Sequence, residues 1–120
     1  MSFNIGKKSR VVTYDVQCTV EDEDCVVYTC PANARAMMSL LFVANVTGNT
    51  TVDIQWFRDN GTRHNHILGG KNMTAGEYIL LTGATLVLEP GDKIQVMPTG
   101  NATPNIDAMC TVTETFIPVG

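Results

Sequence analysis

The stretch AMMSLLFVANVTGNTT, residues 36–51, decides between a helical and a β fold. Its first seven residues, AMMSLLF, are apolar at spacings that suit one helical turn as well as a strand. The continuation separates the two. Val43 and Val46 are β-branched, and Thr47, Gly48, Asn49 and Thr50 close the run with turn residues. Residues 36–46 therefore read as one long strand that ends in a turn.

The same pattern runs outward in both directions. Candidate strands cover 10–18, 25–30, 36–46, 51–58, 63–68, 77–81, 85–89, 93–97 and 106–116. EDED (21–24) reads as a charged hairpin tip, and TGNT (47–50) as a tight turn. DNGT (59–62) holds Asn60-Gly61, which suits a type I′ turn because both central residues need positive φ. EPGD (89–92) places proline second and glycine third, the type II signature. The glycines of GGK (69–71) read as turn residues, and PTGNATPN (98–105) as a polar loop. The expected fold is all-β: a single antiparallel β-sandwich, jelly-roll-like, of about eight to nine short strands. No interior linker or repeat divides the chain, so the expected organisation is an N-terminal arm over 1–10 and a β-sandwich domain over 11–120.

The Asn60-Gly61 turn also fixes a register. With a two-residue loop, Phe57 opposes His64, Trp56 opposes Asn65, Gln55 opposes His66 and Ile54 opposes Ile67. Alternation then places Val52, Ile54, Trp56 and Ile67 on the buried face. Asp53, Gln55, Phe57, His64 and His66 share the outer face, together with Leu68 unless a bulge intervenes.

RHNH (63–66) is the one stretch that looks like metal chemistry. Cupin-like barrels join an HxH strand to a later proline-glycine turn, and LEPGD follows here. The comparison fails on ligands. A catalytic zinc or iron site needs three converging protein ligands. The next acid after His66 is Glu77, and the chain contains no third histidine. His64, His66 and, across the hairpin, Asp53 are the metal candidates, an incomplete set. No metal or other cofactor is expected, and the histidine pair reads as exposed contact surface.

Composition narrows the function. Of 120 residues, 44% are hydrophobic and 17% charged, as in a globular domain rather than a disordered chain. No apolar run approaches the ~18 residues of a membrane span, and the first fifteen residues lack a signal-peptide core. Neither membrane association nor export is expected. Net charge is -4, and the one basic cluster is Lys7, Lys8 and Arg10, too little for nucleic-acid binding. That cluster reads first as a solvated terminus, with an arm that touches an acidic partner as the alternative. Cys18, Cys25, Cys30 and Cys110 form no CxxC pair and are expected as reduced, buried residues, although Cys18 and Cys25 flank the EDED tip and can pair across it.

Catalytic signatures are missing. Ser2, Ser9 and Ser39 sit in no nucleophile elbow, and the acids gather on turns rather than as a pair in a cleft. The chain is expected not to be an enzyme. The loops TGNT, GGKNMTAG and PTGNATPN carry no aromatic residue for a glycan platform. A receptor- or glycan-binding module is therefore the second choice, and a cupin-like metalloprotein the remote one.

The order of motifs carries more than any one of them. VVYTCPANARAMMSLLFVANVTGNTTVDIQW, then ILGGKNMTAGEYILLTGATLVLEPGDKIQVM, then NIDAMCTVTETF, resembles a family of small virion proteins of tailed bacteriophages. The shared pattern is a Y-T-x-P-A opening, a V-x-N turn, a glycine-punctuated core ending in L-V-L-x-x-G-D-x-I, and a closing V-x-E strand, over residues 26–116. The resemblance implies a β-sandwich built into a virus particle: a head decoration (cement) protein, or one associated with the neck, tail or fibre. Partners would be major capsid or neck and tail proteins and further copies of the chain, with a trimer one arrangement that closed symmetry allows. The implied location is the virion, after synthesis in the bacterial cytoplasm. Contact residues are expected on exposed faces and the arm: Lys7, Lys8, Arg10, Phe57, His64 and His66.

Overall fold

The computed structural model describes residues 8–59 and 63–117, with the side chains of all of these except residues 63, 64, 84 and 85. Lys7, assigned above to the arm, and the Asn60-Gly61 turn lie outside the described residues. Eight strands follow in order: β1 (Lys8–Cys18), β2 (Cys25–Thr29), β3 (Ala34–Asn45), β4 (Thr50–Arg58), β5 (Arg63–Met73), β6 (Tyr78–Leu88), β7 (Lys93–Thr99) and β8 (Ile106–Phe116). They form two four-stranded sheets, β1-β8-β3-β6 and β2-β7-β4-β5, with every pairing antiparallel. Only β4 and β5 are consecutive neighbours within one sheet. Every other connection passes from one sheet to the other, which is the jelly-roll topology.

Alternation builds the core. β8 turns Ile106, Ala108, Cys110, Val112 and Glu114 inward, and all five are buried. β3 answers with Ala36, Met38, Leu41 and Val43, and the facing sheet supplies Val52, Ile54, Ile94 and Val96. Ser39 is an extra residue of β3 against β8, so that Met38 and Leu41 both reach the core although three positions apart; against β6 the extra residues, within 83–85, lie on β6.

Several expectations need correction. EDED is not the tip of a paired hairpin, because β1 and β2 belong to different sheets; it is a corner between them. Cys18 and Cys25 are disulfide-bonded across that corner rather than both reduced, while Cys30 and Cys110 are free and buried as expected. The segments 77–81 and 85–89 are one strand, β6, in which Gly83 adopts φ 91° and supplies the bend that looked like an interruption. The GGK glycines lie inside β5, not in a turn. Lys8 and Arg10, assigned to the arm, belong to β1 and pair with Phe116 and Glu114.

The β4–β5 register agrees at Phe57↔His64, Trp56↔Asn65 and Gln55↔His66. It then departs: Ile54 opposes Leu68, not Ile67, because Ile67 is an extra residue on β5. That bulge brings Leu68 toward the core beside Ile67, and both pack against it. A second shift sets the single residue Asp53 against Gly69 and Gly70, where Gly70 has φ 64°.

Candidate functional site

The histidine hairpin was the leading chemical candidate. His66 is exposed, and the side chain of His64 lies outside the described set. The Asp53 carboxylate accepts a hydrogen bond from the Gly70 N–H at the second bulge. Among the described residues, no three His, Cys, Asp or Glu side chains converge as a metal site would require. On the same sheet face, Lys93 Nζ lies 5.7 Å from the ring centre of Phe57. Trp56 faces the core as expected, yet it lies near one end of the sandwich. Its Nε1 donates to Asp92 Oδ2 at 3.2 Å, and the Arg58 guanidinium stacks on its ring at 4.9 Å.

Two buried carboxylates organise that end. Asp92 closes the EPGD turn, with Asp92 N donating to Glu89 O at 3.0 Å and Gly91 at φ 85°, as a type II turn requires. Its Oδ2 also accepts from Glu89 N at 3.0 Å, and its Oδ1 from Asp59 N at 3.1 Å. Arg58 Nε lies 3.2 Å from Oδ2 without hydrogen-bond alignment, so that pair is electrostatic only. Glu114 is fully buried on the inner face of β8. It accepts from Tyr28 Oη at 2.6 Å on Oε2 and from Arg10 Nε at 2.7 Å on Oε1, which satisfies both oxygens. Burial first, and then the bond to Glu114, pushes the Tyr28 hydroxyl far above the ordinary tyrosine value. Arg10, read from the sequence as a contact residue, is thus engaged within its own chain and also lies 5.2 Å over the Phe116 ring. Lys8 is exposed at the start of β1.

The surface with the most contact potential escaped the sequence reading. On the outer face of β1-β8-β3-β6, Phe42 stands between Leu80 of β6 and Met109 of β8. Tyr78 lies next along β6, with its ring centre 5.6 Å from that of Phe42. Farther along the same face, Met37 stands between Val87 and Thr113. Tyr78 is 63% exposed, Leu80 49% and Val87 48%, so this is an apolar strip facing outward rather than a buried layer. A signal for it existed. β3 is apolar on both faces, with Met37, Leu40 and Phe42 alternating against Met38, Leu41 and Val43, and such a strand asks for cover on both sides.

No protein-family model and no curated protein matches the chain. Solved structures do. A chain of the Bacillus endospore appendages, described as disulfide-linked pili, is 12% identical, with 99% of this chain and 96% of that one aligned at a TM-score of 0.57. A chain of the capsid of the Helicobacter pylori bacteriophage KHP30 is 10% identical, with 94% of each chain aligned and a TM-score of 0.57. A chain of the VP2 subviral particle of infectious bursal disease virus is 12% identical at a TM-score of 0.56; 93% of this chain is covered, but it spans only 33% of that longer one. At these identities the likeness is one of fold.

Proposed function

We propose that this chain is a non-enzymatic structural subunit of a bacteriophage virion, a capsid decoration (cement) subunit seated on neighbouring shell subunits. The observation that carries the reading is the apolar strip of Met37, Phe42, Tyr78, Leu80, Val87 and Met109 on an otherwise complete jelly roll. Exposed apolar residues gathered on one sheet face mark an interaction surface. The order of sequence motifs and the likeness to the KHP30 capsid chain support the same role. In this reading His64, His66 and Phe57 add contacts on the opposite sheet, and copies gather as a homo-oligomer, a trimer at capsid three-fold positions being one closed arrangement.

A second reading, a subunit of a tail, neck or fibre assembly, is favoured by the pilus likeness, which extends over nearly the whole of both chains. A density map of purified particles tests both. The first reading expects this jelly roll on the shell lattice with its β1-β8-β3-β6 face turned toward a neighbour. Density confined to the tail selects the second, and absence from purified particles overturns both.

A further inference from the structure

We propose that the outer β1-β8-β3-β6 face receives the segment FNIGK, residues 3–7, of a second copy, so that copies join head to tail. The inference rests on the reading of this chain as an assembly subunit and names the partner and the place. Acidic charge gathers at one end of the strands. At the end that carries the β2–β3, β4–β5 and β6–β7 connections, Arg10, Arg35 and Arg58 are paired with Glu114, Glu89 and Asp92, and Lys8 and Lys93 lie beside them. Asp15, Asp107, Glu77 and the EDED corner lie toward the other end. A groove opens in the outer face there, lined by Asp15, Gln17, Phe42, Asp107 and Met109. Asp15 stands opposite Met109 and Asp107 opposite Ala44, so an apolar floor is flanked by two carboxylates. Neither carboxylate takes part in an ion pair among the described residues.

The segment has the matching pattern. In an extended chain Phe3, Ile5 and Lys7 project to the same side. Two apolar groups and one ammonium then meet Phe42, Met109 and a carboxylate. The same chain cannot supply them. Lys7 adjoins Lys8, which pairs with Phe116 at the far end of β1. Asp15 lies seven residues along that strand, about 23 Å away at ~3.3 Å per residue, well beyond one lysine side chain. The donor is therefore another copy. Its arm and its groove are different surfaces, so the contact is heterologous and either closes as a ring or runs on as a filament.

The test is a charge swap on the full chain, read by sedimentation and light scattering. Wild type is expected to self-associate, less so as salt is raised from about 50 mM to about 500 mM, where screening shortens to a few ångströms. Asp15→Lys/Asp107→Lys and Lys7→Glu/Lys8→Glu should each weaken association at least tenfold while keeping the wild-type circular dichroism spectrum. Mixed together they should associate again, because each basic arm meets an acidic groove and each acidic arm a basic one; misfolded chains cannot restore this. If the double groove variant does not fold, the exposed single change Asp15→Lys replaces it. A monomeric wild type, or a mixture that stays apart, overturns the proposal. Monomers that still decorate particles would overturn this join alone, whereas head-to-tail chains absent from particles would overturn the virion role alone.

Discussion

Replacing Tyr28 by phenylalanine removes one oxygen from the protein interior and leaves Glu114 half satisfied. The ring is 3% exposed and packs against Tyr14 with centroids 5.2 Å apart, contacts that phenylalanine keeps. What is lost is the 2.6 Å bond to Glu114 Oε2 inside a fully buried site. A hydrogen bond to a charged group contributes about 1.5–3 kcal/mol, and a buried acceptor left unmade costs toward the upper part of that range. Tyr28→Phe should therefore destabilise by about 2–3 kcal/mol, a fall in Tm of roughly 6–15 °C for a domain of this size. The same change made on a Glu114→Gln background should cost only about 1 kcal/mol, since the acceptor is then neutral. Burial and the Glu114 bond raise the folded-state pKa of Tyr28 above its unfolded value. Its proton is thus held more tightly in the folded state, and this contribution is complete below pH ~10 and lost as pH rises beyond it. Urea unfolding at neutral pH and at pH ~11 reads both effects. If Tyr28→Phe lies within about 0.5 kcal/mol of wild type, or costs the same in both backgrounds, the Glu114 site is not the anchor described here.

The Cys18–Cys25 bond closes a loop of sequence separation 7; loop-closure entropy predicts that Cys18→Ser/Cys25→Ser lowers stability by roughly 2.5 kcal/mol, measurable by urea unfolding with and without reductant. Burial pushes the thiols of Cys30 and Cys110 up to about 11, so neither should react with a thiol reagent at neutral pH until the protein unfolds; rapid native labelling would contradict their burial. Gly83 and Gly91 share a positive φ, but a Cβ at Gly83 meets nothing within 4 Å, whereas one at Gly91 meets Asp59 Oδ2 at 2.6 Å. Gly83→Ala should cost about 1–2 kcal/mol and Gly91→Ala clearly more, with equal losses in thermal melts counting against the close approach.

Strand identity and the first pairs of the β4–β5 hairpin were legible because they rest on local chemistry: β-branched residues, the Asn-Gly turn and strict alternation. Even the Leu68 bulge left a trace, as an apolar residue on the wrong face. Crossings between sheets left none, since EDED reads the same whether its flanking strands pair or part. Gly83 misled for a related reason, because a glycine inside a bent strand looks like one between two strands. In β8 Glu114 shares the phase of Cys110 and Val112, so its burial follows from alternation once the strand is placed. The outward strip on β3 is harder to read, because a strand apolar on both faces suits cover by its own chain as well as by a partner. Arg10 reads as a surface contact residue because its partner, Glu114, lies 104 residues away in the sequence.

β8 lies between β1 and β3, so the sheet that holds both the first strand and the apolar strip has no middle until residues 106–116 arrive. During synthesis β1 and β3 leave the ribosome with facing edges that nothing yet fills, and most of the chain must wait for its last strand before it can settle. Losing even part of that strand to a nonsense codon or a protease would leave two open edges. Such a product is prone to aggregate. The fold thus makes closure of this sheet wait on β8.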